Sequence, residues 1–372
     1  MDSASLRRYS RHLLMPEVGL QGQERLQAAR VLCVGVGGLA SPLLLYLAAA
    51  GIGRLGLVDD DRVELSNLQR QTLFTTSDIG RRKVEAARER LLALNPTISI
   101  DAYPVRLMAE NARDLVRPYD CVVDGSDLFS TRYLVNDACI LEHKPNVFAA
   151  IFRFQAQVTV FAATGQPCYR CLYPSPPPAQ TVPSCAEGGV LGAIAGLAGL
   201  WQATETCKLL LGIGDSLQGR LLCLDALAAT HRDLTILPDP DCVLCGAGAT
   251  RRQVLDDIPE RPEDGFVSAS EMQVRPADFF ATLASGVRLL DVREPHEAVL
   301  GLYPDSLHIP LSQLDARLSE LDLQTTYLVA CRLGQRSRLA CERLHAAGLR
   351  RVLHLQGGLL AVAALEEQLA LF

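Results

Sequence analysis

Twelve cysteines stand in this chain of 372 residues, and four of them form two close pairs, Cys168-Tyr169-Arg170-Cys171 and Cys242-Val243-Leu244-Cys245. Each C-x-x-C pair can put two thiolates on one ion, so the two together can build a closed four-sulfur zinc site of the structural kind. One such pair alone would equally suit dithiol redox chemistry. Two pairs near opposite ends of one subdomain favour metal. Cys185 sits in TVPSCAEGG, among prolines and glycines rather than in a core pattern, a place suited to an accessible, reactive thiol. Cys331 ends the apolar run TYLVAC and precedes Arg332-Leu333-Gly334-Gln335-Arg336-Ser337. A thiol in that loop, at a helix N-terminus and beside two arginines, is placed to be held as an anion or to carry a persulfide. The other six (Cys33, Cys121, Cys139, Cys207, Cys223 and Cys341) lie in strand or helix patterns and read as small buried apolar residues.

A second set of residues points to phosphate. Gly35-Val36-Gly37-Gly38-Leu39-Ala40 is G-x-G-x-x-A between a strand and a helix, where glycines let backbone N–H groups approach an anion. Asp59 follows Gly35 by 24 residues, at the end of the next strand, where a carboxylate can grip ribose hydroxyls. By itself this motif would suggest a nicotinamide dinucleotide. The following segment argues for a triphosphate instead, because Ser66, Asn67, Arg70, Gln71 and Lys83 accumulate polar and cationic groups. Asp124-Gly125-Ser126-Asp127 ends an apolar strand and offers an acid that can hold magnesium.

The elements that must position these groups follow an α/β pattern. VLCVG reads as a strand buried on both faces, LASPLLLYLAAAG as a helix with Pro in its first turn and Gly past its end, and RLGLVDDD as a second strand. Val31 to Gly53 lacks charge and is long enough to span a membrane, but its glycines and its split into strand and helix exclude that reading. KVEAARERLLALN and TRYLVNDACILEH read as helices, YDCVVDGSD, PNVFAAI and QAQVTVFAA as strands, and GVLGAIAGLAGLWQATETCKLLLG as a long helix. Polar, Pro-containing residues 247–270 read as a linker between a domain over 1–246 and a second over 271–372. The second repeats the α/β pattern, with strands at VRLLDV, TYLVAC and VLHLQ and helices at HEAVLG, SQLDARLSEL, SRLACERLHAAG and LLAVAALEEQL.

Hydrophobic residues at 49% and charged residues at 21% supply real cores and exclude a disordered chain. A net charge of −6 gives no electrostatic footing for nucleic acid or an anionic membrane. The opening MDSASLRRYSR has no apolar signal region, which makes the reducing cytoplasm the expected compartment.

The motifs Arg8-Tyr9-Ser10-Arg11, GVGGLASP, LVDDDRVELSNLQRQ, DIGRRK, SDLFSTRYLVNDAC, CYRCLYP and CVLCG together resemble the MoeB/ThiF/HesA family, bacterial relatives of ubiquitin-activating enzymes. Residues 271–372 resemble a rhodanese domain through LLDVREPHE, LHIPL, CRLGQRS and LQGG, and the pair in this order is similar to the MoeZ-type adenylyltransferase–sulfurtransferases. The resemblance implies a Rossmann-like ATP-binding domain, its mainly parallel sheet extended by antiparallel strands, plus a smaller α/β rhodanese domain. It implies adenylation, with ATP, of a ubiquitin-like sulfur-carrier protein ending in Gly-Gly, then sulfur transfer to give a thiocarboxylate. On matched positions, Gly35, Gly37, Gly38, Asp59 and Asn67 hold the nucleotide. Arg70 and Lys83 contact phosphates, Asp127 binds Mg2+, and Arg11 reaches the phosphates from the partner subunit of a homodimer. Cys168, Cys171, Cys242 and Cys245 match structural Zn2+ ligands. Cys331 matches the persulfide cysteine, and Cys185 a cysteine that forms a thioester or resolves an acyl disulfide. A cysteine desulfurase is the implied sulfur donor. Molybdenum cofactor, thiamin, cysteine, thiolated tRNA and sulfur-containing metabolites all draw on such chemistry.

Four positions depart from the family pattern: Ala40 for glycine, Leu128 for the asparagine usual after Asp127, QAQV at 155–158 for EGQV, and no tryptophan over Leu359 to Val362. None removes a cation, the magnesium acid or a cysteine. The competing readings are an adenylation-only activator, a non-catalytic partner-binding scaffold and a nicotinamide-dependent oxidoreductase. The last lacks a catalytic His or Tyr constellation.

Overall fold

A computed structural model describes residues 1–176, 189–256, 258 and 273–369. The chain divides into two compact units, Met1–Arg261 and Pro262–Phe372.

In the first unit the apolar runs become strands β1 (Arg30–Val34), β2 (Arg54–Val58), β3 (Ser99–Tyr103), β4 (Cys121–Asp124), β5 (Asn146–Phe152), β6 (Gln155–Phe161), β7 (Arg220–Asp225) and β8 (Thr230–Thr235). They form one sheet in the order β3-β2-β1-β4-β5-β6-β7-β8. The first five in that order run parallel, and β6, β7 and β8 each pair antiparallel to the neighbour before. The helices are α1 (Ser3–Arg8), α2 (Ser10–Leu13), α3 (Gly19–Ala28), α4 (Ala40–Ala50), α5 (Lys83–Leu94), α6 (Ala109–Val116), α7 (Phe129–Leu141), α8 (Tyr169–Leu172) and α9 (Gly192–Leu211).

Because β1 is buried on both faces, its side chains divide between two cores. Val31 and Cys33 pack with residues of α3, α4, α5 and α9, while Leu32 and Val34 pack with residues of α6 and α7. The chargeless stretch that could have spanned a membrane is spent on this arrangement. Leu43, Leu44 and Leu47 of α4 are fully buried, each worth about 1.5–3 kcal/mol against exposure. No helix among the described residues is long and apolar enough to cross a membrane. The helix stops where its sequence says, since Gly51 takes the left-handed conformation (φ 82°) that closes a C-terminus without a Cβ penalty.

Packing of the first unit continues past Cys245. Val254 is buried in the core beside α6 and α7, and Arg251 pairs with Asp137 at 3.3 Å. The start of the segment read as a linker is therefore bound to the first unit, where Val254 and Ile258 pack on its cores despite the polar composition around them.

The second unit is a five-stranded, all-parallel sheet of β9 (Gln273–Val274), β10 (Arg288–Asp291), β11 (Leu307–His308), β12 (Tyr327–Ala330) and β13 (Val352–Leu355), ordered β11-β10-β12-β13-β9. Helix α11 (Gln335–Ala346) packs on one face, and α10 (Phe279–Ala284) and α12 (Gly358–Leu369) on the other. The expected helix at SQLDARLSEL is instead two 3-10 segments, Leu311–Gln313 and Asp315–Glu320. Its apolar positions anchor a connection to the sheet through Leu314 and Leu321 rather than line a helix face.

Candidate functional site

In the first sheet β1 lies between β2 and β4, so the connections from β1 and β4 leave in opposite directions and open a crevice at the strand ends. Gly35, directly after β1, takes φ 83°. A Cβ there would stand 3.0 Å from the Gly125 carbonyl carbon and oxygen, and one on Gly125 would stand 2.9 Å from the Gly35 oxygen. Two glycines thus meet backbone to backbone at the crevice floor. Gly37 and Gly38 face the next segment: a Cβ on Gly38 would lie 3.3 Å from the Arg70 side chain and from Ala195 of α9, and one on Gly37 would lie 3.8 Å from Gln71 Nε2. The glycine turn and the polar SNLQRQ segment, far apart in sequence, are therefore in contact.

Asp59 binds the turn itself. One carboxylate oxygen accepts the Val36 N–H at 2.7 Å and the other the Asp61 N–H at 2.8 Å. Burial raises its carboxyl above the ordinary value, against the opposing pull of Lys83. Lys83, at the start of α5, has a buried side chain with its Nζ 2.7 Å from Asp61. Asn67 is buried and accepts the Glu64 N–H, and Arg70 donates to the Ser66 carbonyl at 3.0 Å. Asp127 is exposed just before α7 and makes no ion pair among the described residues. Its loop is gripped from inside. Fully buried Asp124 accepts both the N–H and the hydroxyl of Ser126, at 3.0 and 2.6 Å, while Arg132 donates to the Ser126 carbonyl. The remaining Asp124 oxygen is buried without a hydrogen-bond partner. Arg11 lies exposed on α2. The position of Cys185 falls outside the described residues.

The four paired cysteines converge. Sulfur separations are 3.7 Å for Cys168–Cys242, 3.9 Å for Cys168–Cys171 and 3.4 Å for Cys171–Cys245, and all four lie within 4.8 Å of one another. Sulfurs at the corners of a tetrahedron about 2.3 Å from a zinc ion stand about 3.8 Å apart, so the donor set fits. Its support reaches α7: Arg170, between the first two cysteines, forks onto Asp137 with two bonds of 2.8 Å, and the Tyr169 N–H donates to Asn136 at 2.7 Å. The Cys242 carbonyl accepts the Gly246 N–H, where a Cβ would strike Pro240 and Cys242 backbone.

Cys331 follows β12, the central strand of the second sheet, and is buried. Its sulfur accepts the N–H groups of Gly334 at 3.2 Å and Ser337 at 3.3 Å. Gly334 takes φ 88° and caps α11. The loop carbonyls are held in turn by α12, whose Leu359 and Leu360 N–H groups donate to Cys331 and Arg332. That approach needs Gly358, where a Cβ would meet the Cys331 oxygen and Gly334 nitrogen at 2.5 Å. Arg336 is committed to buried Glu297, at 2.7 Å for one of two contacts. Burial would raise the Glu297 carboxyl, but Arg336 more than offsets this and holds it below the ordinary range. Sequence reading placed both loop arginines at the thiol and included Asp124 in the acidic strand end; it missed Glu297 and the inward grip of Asp124 on Ser126, which rest on partners that only folding supplies.

A glycine turn against Arg70 at a sheet switch point, and a cysteine that accepts two N–H groups at the end of the central strand of a second parallel sheet, suit a two-part transferase. The ThiF family model matches residues 9–244 and the rhodanese-like domain model residues 276–365. The chain belongs to the ThiF family and carries a rhodanese-like domain after it. It is 54% identical to the sulfur carrier protein adenylyltransferase of Thermus thermophilus, over 68% of this chain and 94% of that one. It is 43% identical to the probable adenylyltransferase/sulfurtransferase MoeZ of Mycobacterium tuberculosis, over 96% and 92%, and 46% identical to MOCS3 of Mus musculus, over 83% and 70%. The crystal structure of Escherichia coli MccB with ATP shares the fold, with a TM-score of 0.57 at 23% identity over 64% of this chain and 74% of that one. The protein is an adenylyltransferase and sulfurtransferase.

Proposed function

We propose that the first unit activates, with ATP, the C-terminal glycine carboxylate of a ubiquitin-like sulfur-carrier protein, and that a persulfide on Cys331 then supplies the sulfur. The observation that carries this is the pairing in one chain of the glycine turn against Arg70 with the N–H cradle at Cys331. The carrier carboxylate attacks the α-phosphorus, pyrophosphate leaves, and an acyl-adenylate forms. Gly35, Gly37, Gly38 and Asn67 line the nucleotide, Asp59 takes a ribose hydroxyl, and Arg70 and Lys83 face phosphate oxygens, where fixed cations stabilise the charge that develops. Asp127 would hold magnesium, which supplies further neutralisation of phosphate charge when bound. An acid free of ion pairs, on a loop locked from within by Asp124 and Arg132, suits that role. Zinc on Cys168, Cys171, Cys242 and Cys245 would tie the two C-x-x-C segments together, a structural service only.

The outer sulfur of the Cys331 persulfide attacks the acyl carbon and AMP leaves, giving an acyl disulfide. A second thiol must then attack the Cys331 sulfur to release the thiocarboxylate, and a dithiol reductant must reset the new disulfide. Cys185 is assigned that second thiol. A cysteine desulfurase type of donor reloads Cys331, and free cysteines throughout the described chain suit a reducing cytoplasm.

A homodimer supports Arg11 acting across subunits. Met15, Tyr46, Leu200, Cys207 and Leu211 line a largely apolar groove of about 600 Å3 between α2, α4 and α9, and Leu14, Leu197 and Trp201 are further exposed apolar residues of α9 and the chain just after α2. The test is ATP–pyrophosphate exchange with candidate carriers, alongside mass spectrometry for the oxygen-to-sulfur change at the carrier terminus. Exchange that needs the terminal Gly-Gly supports the proposal. Failure of exchange with every ubiquitin-fold carrier offered would end it.

A further inference from the structure

His354 lies on β13, half-buried, and no part of the chemistry above uses it. Its Nε2 is 2.7 Å from the Gly334 carbonyl oxygen. A carbonyl can only accept, so Nε2 carries the proton and donates. The other ring nitrogen, Nδ1, is buried with no hydrogen-bond partner. A buried N–H left without an acceptor is costly, which fixes Nδ1 as the bare nitrogen and the ring as neutral. Burial favours the same state by lowering the imidazole pKa.

Gly334 is the pivot of the cysteine loop. Its carbonyl accepts a second bond from the Ser337 hydroxyl at 2.9 Å, and its own N–H is one of the two that the Cys331 sulfur receives. The other comes from Ser337. Gly334 is also left-handed, at φ 88°, and packs so closely on Gly357 and Gly358 that a Cβ would lie 3.0 Å from the Gly357 nitrogen. Backbone in that region relaxes readily unless its surroundings fix it. His354 reaches it from β13, a strand paired on both sides, with β12 and β9.

We infer that His354 is a positioning residue for sulfur transfer, holding Gly334 so that the two N–H groups of the loop stay aimed at the Cys331 sulfur. The inference rests on the reading of Cys331 as the sulfur-carrying thiol. A shifted loop would lose donors that favour thiolate and persulfide over their protonated forms.

The test uses the full chain with thiosulfate as sulfur donor and cyanide as acceptor, together with the rate of Cys331 alkylation by iodoacetamide at neutral pH. In His354→Gln the amide nitrogen can stand near the Nε2 position and still donate; in His354→Asn it cannot reach. His354→Asn is expected to lower kcat about tenfold, the worth of one lost hydrogen bond, with the KM for thiosulfate unchanged and the alkylation of Cys331 slowed. His354→Gln is expected to restore both. Wild-type rates in His354→Asn overturn the inference, as do equal losses in both variants that follow a common fall in melting temperature. Sulfur transfer that survives Cys331→Ala removes the parent reading and this inference with it; normal His354→Asn rates on a Cys331-dependent enzyme overturn this inference alone.

Discussion

On the proposed reading Asp127 and Cys331 divide the reaction, and the division can be measured. Asp127→Ala is expected to lower carrier-dependent pyrophosphate exchange about 100- to 1,000-fold, the usual cost of removing a group that stabilises transition-state charge. Cys331→Ala should leave that exchange intact and abolish thiocarboxylate. Equal loss of exchange in both variants would contradict the assignment. The Glu297–Arg336 pair carries a separate prediction for stability. Its acid is depressed in the folded state, so its contribution is complete above the ordinary glutamate value near 4.5 and drains away as pH falls below it. Glu297→Gln removes this ion pair of Arg336, at a cost of roughly 1–3 kcal/mol. Hydrogen exchange over β10 and β12, read from neutral pH to about pH 3, checks this: the gap between wild type and variant should narrow below the ordinary glutamate value of 4.5, and parallel curves would refute it. Residues that act through spacing along the chain, such as Gly35, Asp59 and the C-x-x-C pairs, were legible in the sequence. Glu297 and His354 were not, since each gains its meaning from a residue on another element.

At the scale of elements, the two C-x-x-C segments are a joint of the first unit that a metal would secure. Cys168 is at the start of α8, while Cys242 and Cys245 follow the edge strand β8, whose residues are all exposed. One zinc per chain is expected by elemental analysis, and its removal with a chelator should raise hydrogen exchange across α8 and residues 242–254 while β1 to β4 stay protected. A chain that holds no zinc, or that stays equally protected without it, would show the sulfur cluster to be something else. The strands and helices around the sites could be read in advance because apolar runs and helix-ending glycines are local signals. The two-residue strands β9 and β11 could not, since two residues make no period, and α1 to α3 carry too mixed a pattern to announce themselves. The 3-10 segments before β12 were misread for a related reason: their apolar spacing suits a helix but serves scattered anchors on the sheet.

For the whole molecule, the apolar groove between α2, α4 and α9 sets the expectation. Tyr46→Glu and Trp201→Glu change exposed side chains and should convert a dimer to monomers in sedimentation, with pyrophosphate exchange lost in proportion. If Arg11 acts across subunits, mixing Arg11→Ala chains with Lys83→Ala chains should regain up to about a quarter of wild-type activity on statistical pairing, because one site in a mixed dimer is then intact. No recovery in a verified mixed dimer would place Arg11 in its own subunit's site or outside any. The contact of Gly35 with Gly125 has a historical consequence as well. Each glycine removes the room the other would need for a side chain, so neither can change first and no single step leads away from the pair. The crevice floor is thereby withdrawn from evolutionary drift. Room for variation in what this protein accepts lies instead at the exposed side chains beyond it, such as Leu128.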